Sequence, residues 1–158
     1  MYNADENIKF SNNKSFTFEL IFKKNDTNGE ELFGTYSSEE YINGIWNVNG
    51  YTNMINVKFL NCRFPSSGAY KIDVSNPISI SCTYDSKNTK LKYYINNILV
   101  QEFDSVKNSD EYGFTIGMHK TETSAGNYKI YSVRYYDRAL SETEVNYNYK
   151  TDKQKYGI

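Results

Sequence analysis

The chain has 158 residues, with 18 lysines and arginines set against 19 acidic residues and a net charge of −1. One domain of this length buries about 70% of the surface that its unfolded chain would expose, so it can fold without cross-links. Both signs of charge are scattered, which excludes the basic stripe that nucleic acid or an anionic membrane surface selects, and no run approaches the roughly 20 apolar residues of a membrane helix.

In chain order, the opening MYNADENIKF lacks the apolar centre of a signal peptide. That start suits an excised domain, or a chain that reaches its workplace without the secretory pathway. A first strand is predicted over 6–11. In SFTFELIF, Phe16, Phe18, Leu20 and Phe22 fall on one face and Ser15, Thr17 and Glu19 on the other, the pattern of a half-buried strand. Further strands of period 2 are predicted over 30–36, 41–48, 54–61, 69–75, 77–84, 90–95, 98–103, 112–118 and 127–137. Turn residues separate most of them: NDTNG at 25–29, Asn49-Gly50, SSG at 66–68, DSKN at 85–88, and Asn96-Asn97. Asparagine tolerates the positive φ of a two-residue hairpin turn, so LKYYI and ILVQEF are predicted to pair across Asn96-Asn97. The last strand alternates so densely that it is expected to be covered on both faces.

One helix is predicted, starting at Ser141. Ser141-Glu142-Thr143-Glu144 spells a capping box, in which the serine oxygen and the Glu144 carboxylate satisfy each other's backbone N–H groups. Val145 and Tyr149 then share one side of a helix of two to three turns that lids an edge or end of a sheet. Eleven short strands with no long helical pattern between them give an all-β fold: a two-sheet antiparallel sandwich with one short C-terminal helix, a single domain over 1–158.

Cys62 and Cys82 are expected to be two separate thiols. Cys82 shares its face with Ile78, Ile80 and Tyr84 as a small core residue, whereas Cys62 is out of phase with Ile55, Val57 and Phe59.

Two segments carry a resemblance. YDSKNTKLKYYINNILV, residues 84–100, resembles a hairpin of laminin-G-like domains in the concanavalin A-like lectin/glucanase superfamily. GNYKIYSVRYYDRALSETEV, residues 126–145, resembles that family's closing strand and its corner into a short helix, and NIKFSNNKSFTFELIFKK resembles the opening pair of strands. The resemblance implies a jelly roll with a concave sheet face that often holds carbohydrate. Where the family has an acidic pair before its valine-arginine, this chain has Tyr131 and Ser132.

A carbohydrate-binding, lectin-like function at a cell surface, outside the cell or on a virion is therefore expected, with a glycan or surface polysaccharide as partner. An assembly domain contacting protein subunits is the alternative. Aromatic faces stack on sugar rings while asparagines bond hydroxyls, which singles out Tyr36, Tyr41, Trp46, Asn49 and Tyr51, with His119 and Asn127 in a loop region that the resemblance implies can border the concave face. For Trp46 the plainer reading is a core residue beside Ile42 and Val48; for His119 it is a solvated loop.

The chain is expected not to be an enzyme; a glycoside hydrolase is the second alternative, and only if two carboxylates from different strands converge. Glycoside hydrolysis needs two carboxylates about 5 to 9.5 Å apart across the scissile bond, and no strand carries the superfamily's catalytic pattern; Glu30-Glu31 and Glu39-Glu40 point to opposite faces. No cofactor is required. Calcium is an option for the oxygen donors Asp85, Asn88, Asp104, Asp110 and Asn127, although such residues commonly serve their own turns. Arg134, Asp137 and Arg138 are assigned to fixing the corner before the helix.

Overall fold

The structure, a computed structural model, describes residues 10–25, 31–36, 41–47, 53–106, 115–116 and 127–158. The strands are β1 (Phe16–Lys24), β2 (Glu31–Tyr36), β3 (Tyr41–Asn47), β4 (Met54–Phe59), β5 (Cys62–Phe64), β6 (Tyr70–Lys71), β7 (Ile78–Asp85), β8 (Lys90–Ile95), β9 (Ile98–Phe103), β10 (Thr115–Ile116) and β11 (Tyr128–Tyr136), and one helix follows, α1 (Glu142–Tyr156). The fold class is the expected one, an all-β chain of antiparallel sheets closed by one C-terminal helix. Contacts divide the chain into two units, one of residues 1–11, 25–72 and 107–128, the other of 12–24, 73–106 and 129–158.

The second unit holds a five-stranded sheet in the order β11-β1-β7-β8-β9. Its alternation is the one read from the sequence. Phe16, Phe18, Leu20 and Phe22 pair with Tyr84, Cys82, Ile80 and Ile78 across β1 and β7, and Leu91 and Tyr93 extend this buried apolar face onto β8. The opposite face is polar at its centre, with rows Thr17, Thr83, Lys92, Glu102 and Glu19, Ser81, Tyr94, Leu99 running across four strands. The β8–β9 hairpin turns at Asn96 and Asn97, with φ of 49° and 66°, as predicted.

The first unit holds β10-β2-β3-β4-β5, with β6 also paired to β4. Ile45 and Val57 pair on its buried face, and Phe10 meets Phe59 edge-on, with ring centroids 5.1 Å apart. The strand predicted over 69–75 shrinks to two residues, because Asp73 accepts from the backbone and hydroxyl of Ser75 at 2.9 and 2.6 Å and turns the chain. The strand predicted over 54–61 ends early: Leu60 and Asn61 take positive φ, 50° and 61°, and make a two-residue turn into β5. Both cysteines are thiols; Cys82 is fully buried and Cys62 half-buried.

Two expectations are corrected. Among the described residues β11 is an edge strand, and it is not covered on both faces; Ile130 and Val133 are each 37% exposed. Helix α1 runs 15 residues rather than two to three turns, and it lies on the polar face of the sheet rather than at an end. The capping box starts it: the Glu144 N–H donates to Ser141 Oγ at 3.3 Å, and the Ser141 N–H donates to Glu144 Oε2 at 2.8 Å. Gly157 ends it in the left-handed conformation, φ 69°.

Candidate functional site

Docking α1 on a polar sheet face needs polar partners, since Val145 is its only buried apolar residue. Val145 and Leu140 pack on Tyr94. Thr17 holds the corner, donating to the Arg138 carbonyl at 2.9 Å and accepting from the Leu140 N–H at 2.8 Å. At the other end, Arg134 of β11 makes a two-pronged ion pair with Asp152 at 2.5 and 2.6 Å and lies 3.5 Å from Glu19. Asn148 donates to Glu19 at 3.0 Å. Burial pushes the Glu19 carboxyl up despite Arg134. The expectation for the corner residues holds for Arg138, which pairs with Glu144 at 2.6 Å and, with the cap, holds that carboxyl down at about 2, whereas Arg134 clamps the far end of the helix through Asp152 instead.

Because α1 begins partway across the sheet, it leaves a cleft of about 410 Å³ between its first turn and the faces of β7 and β8. Thr83, Lys92 and Tyr94 form the floor, Asp85 and Lys90 one end, and Ser141, Glu142 and Glu144 the helix wall. Lys90 is held by Glu102 at 2.7 Å and Asp104 at 3.0 Å, which lift its ammonium up to about 12; Lys92 reaches Glu102 at 3.2 Å. Burial and the carboxylates of Glu142 and Glu102 push the Tyr94 hydroxyl up to about 12, so it stays a donor. Thr83 and Tyr94 are buried as residues, but neither hydroxyl oxygen is a buried atom left without a partner; both line the cleft. A second depression of about 350 Å³, lined by Tyr136, Arg138, Thr143 and Tyr147, shares Leu140 and Glu144 with the first.

Most residues singled out from the sequence do not meet at this cleft. Asn49, Tyr51 and His119 lie outside the described residues. Tyr36 and Tyr41 pair at the ends of β2 and β3. Trp46 is half-buried and pairs with Asn56, on the face opposite Ile45. Asn127 is exposed; its carbonyl accepts from the Asn25 N–H at 3.0 Å, and its side chain lies 3.3 Å from that of Asn25. Of the calcium candidates, Asp85 accepts from the Lys87 N–H and from Asn88, Asp104 pairs with Lys90, and Asp110 lies outside the described residues. Among the described residues no cluster of three or more His, Cys, Asp or Glu is placed to hold a metal ion, and no helix is long and apolar enough to cross a membrane.

The cleft residues escaped the sequence reading because Thr83, Lys92 and Tyr94 are the polar half of two ordinary strands. Only the landing point of α1 turns that half into a floor.

No protein-family model and no curated protein sequence matches the chain. Solved structures do. A Trypanosoma rangeli sialidase in complex with sialic acid is similar over 89% of this chain and 23% of its own, at 12% identity and a TM-score of 0.64. A candidate carbohydrate-binding protein from Bacteroides ovatus is similar over 89% of this chain and 41% of its own, at 17% identity and TM-score 0.63. A receptor binding domain is similar over 88% and 35%, at 13% identity and TM-score 0.54. The chain thus spans about a quarter to two fifths of these proteins, and what it shares with them is the fold.

That finding corrects the expectation of a non-enzyme. Several of the similar structures are sialidases, so the fold leaves catalysis open. Carboxylates need not come from a single strand, since a fold can bring together acids from different elements. The cleft draws Asp85 from β7 and Glu142 and Glu144 from α1.

Proposed function

We propose that the chain is a carbohydrate-recognition module, laminin-G-like in kind, whose glycan lies in the cleft between the start of α1 and β7–β8. The observation that carries this reading is the open polar cleft itself, whose lining brings the Thr83 and Tyr94 hydroxyls and the Lys92 ammonium together with the Glu142 carboxylate. Donors and acceptors gathered in one open cleft can exchange water for the hydroxyls of a sugar. The similarity in fold to a candidate carbohydrate-binding protein supports it. The aromatic segment of β3, with half-buried Trp46, is a second place for a sugar ring.

A glycan array tests the reading. Wild type should bind a defined set of glycans, Lys92→Met and Thr83→Val should lose them, and Trp46→Ala should weaken only extended chains. A blank array for wild type, or equal binding by Thr83→Val and Lys92→Met, would refute the cleft. A second reading, a protein-contacting domain, is favoured by the apolar exposure of the two edge strands, Ile98 (65%) and Leu99 on β9 with Ile130 and Val133 on β11, and by the similarity to a receptor binding domain.

A further inference from the structure

The charges in the cleft are unequally used. Lys90 is taken up by Glu102 and Asp104, Lys92 shares Glu102, and Glu144 is taken up by Arg138. Glu142 remains: among the described residues its carboxylate makes no ion pair or hydrogen bond, yet it lines the cleft and acts on the Tyr94 hydroxyl. Of the carboxylates and lysines lining the cleft, Glu142 is thus the one whose charge neither an ion pair nor a hydrogen bond offsets among the described residues, since Asp85 accepts from the Lys87 N–H and from Asn88.

Resting on the glycan-binding reading, we infer that the sugar taken here is uncharged and is gripped through a vicinal diol. Glu142 accepts from two adjacent hydroxyls, and the Thr83 and Tyr94 hydroxyls and the spare N–H groups of Lys92 donate to oxygens on the sugar's other edge. A carboxylate has two acceptor oxygens and no donor, so neighbouring hydroxyls can both point at it, while the floor supplies donors. An acidic sugar is excluded by the same residues. A ligand carboxylate within about 6 Å of Glu142 would be disfavoured by more than tenfold at the effective dielectric of a protein surface.

The test is a titration of the ¹⁵N-labelled chain with methyl glycosides of mannose, galactose and glucose, and with the methyl glycosides of sialic and glucuronic acid. At least one neutral glycoside should shift the amides around Thr83, Lys92, Tyr94 and Glu142, with both acidic glycosides at least tenfold weaker. Glu142→Gln keeps the shape and the helix start but removes the charge; it should weaken the neutral sugar by about tenfold and narrow its advantage over the acidic ones. Methylating one hydroxyl of the diol should cost as much. Acidic glycosides binding as tightly at the same amides, or Glu142→Gln binding unchanged, would overturn the neutral-diol inference and leave the glycan reading standing. If no glycoside moves these amides, both fall.

Discussion

Replacing Arg134 by methionine isolates what holds α1 to the sheet. The side-chain volume is nearly kept, but Asp152 and Glu19, only 3% and 5% exposed, lose their shared cation. Breaking a buried ion pair by removing one partner costs about 3–5 kcal/mol. Arg134 is 30% exposed, so water can reach part of the gap, and the lower end, about 3 kcal/mol at pH 7, is expected. Acid should reduce that loss. The Glu19 carboxyl, already pushed up by burial, accepts a proton more readily once the guanidinium is gone, so the deficit relative to wild type should shrink as pH falls to about 4.5. Arg134→Lys keeps the charge but loses the fork, and should fall between. Urea unfolding followed by circular dichroism at 222 nm, with hydrogen exchange of the α1 amides, reads both effects. An Arg134→Met variant within 0.5 kcal/mol of wild type at pH 7, or a deficit equal at both pH values, would show that the clamp does not hold the helix.

Other expected outcomes follow from the same geometry. Glu19→Gln removes a carboxyl whose folded pKa is raised by burial; wild type should lose stability relative to it as pH rises from about 4.5 through that raised value, which paired pH–stability curves will show. Glu144 is the opposite case, held down at about 2: its contribution is full above pH 4.5 and fades as pH falls toward 2, and thermal melts of Glu144→Gln should converge with wild type there. Ser141→Ala removes the cap and should cost about 1 kcal/mol, while Leu140→Ala, opening the small cluster with Tyr94 and Val145, should cost about 2–3 kcal/mol by denaturant titration.

Much of the fold was legible because a period of 2 is local information. Phe16, Phe18, Leu20 and Phe22 announce a buried face, Asn96-Asn97 a turn and Ser141 with Glu144 a helix start, each decided by residues within a few positions. What was missed depended on distant partners. Leu60 reads as part of an apolar run, and its positive φ follows from the pairing of Phe59 with Cys62. The length of α1 was hidden because its docking side is Asn148 and Asp152, polar residues whose burial makes sense only beside Arg134 and Glu19. The cleft was missed for the same reason: Thr83 and Lys92 carry no motif, and they become a floor because Thr17, dozens of residues away, anchors the corner above them. Aromatic content directed attention to Trp46, and composition carries no information about where a helix lands.

The central claim, that sugar is read at the floor beneath the start of α1, is tested most directly by mapping amide shifts of the whole chain with a neutral glycan that binds it. The largest shifts should centre on Thr83, Lys92, Tyr94 and Glu142, and Thr83→Val should abolish them. Shifts centred on Trp46 and its strand neighbours, with those four residues unmoved, would contradict it.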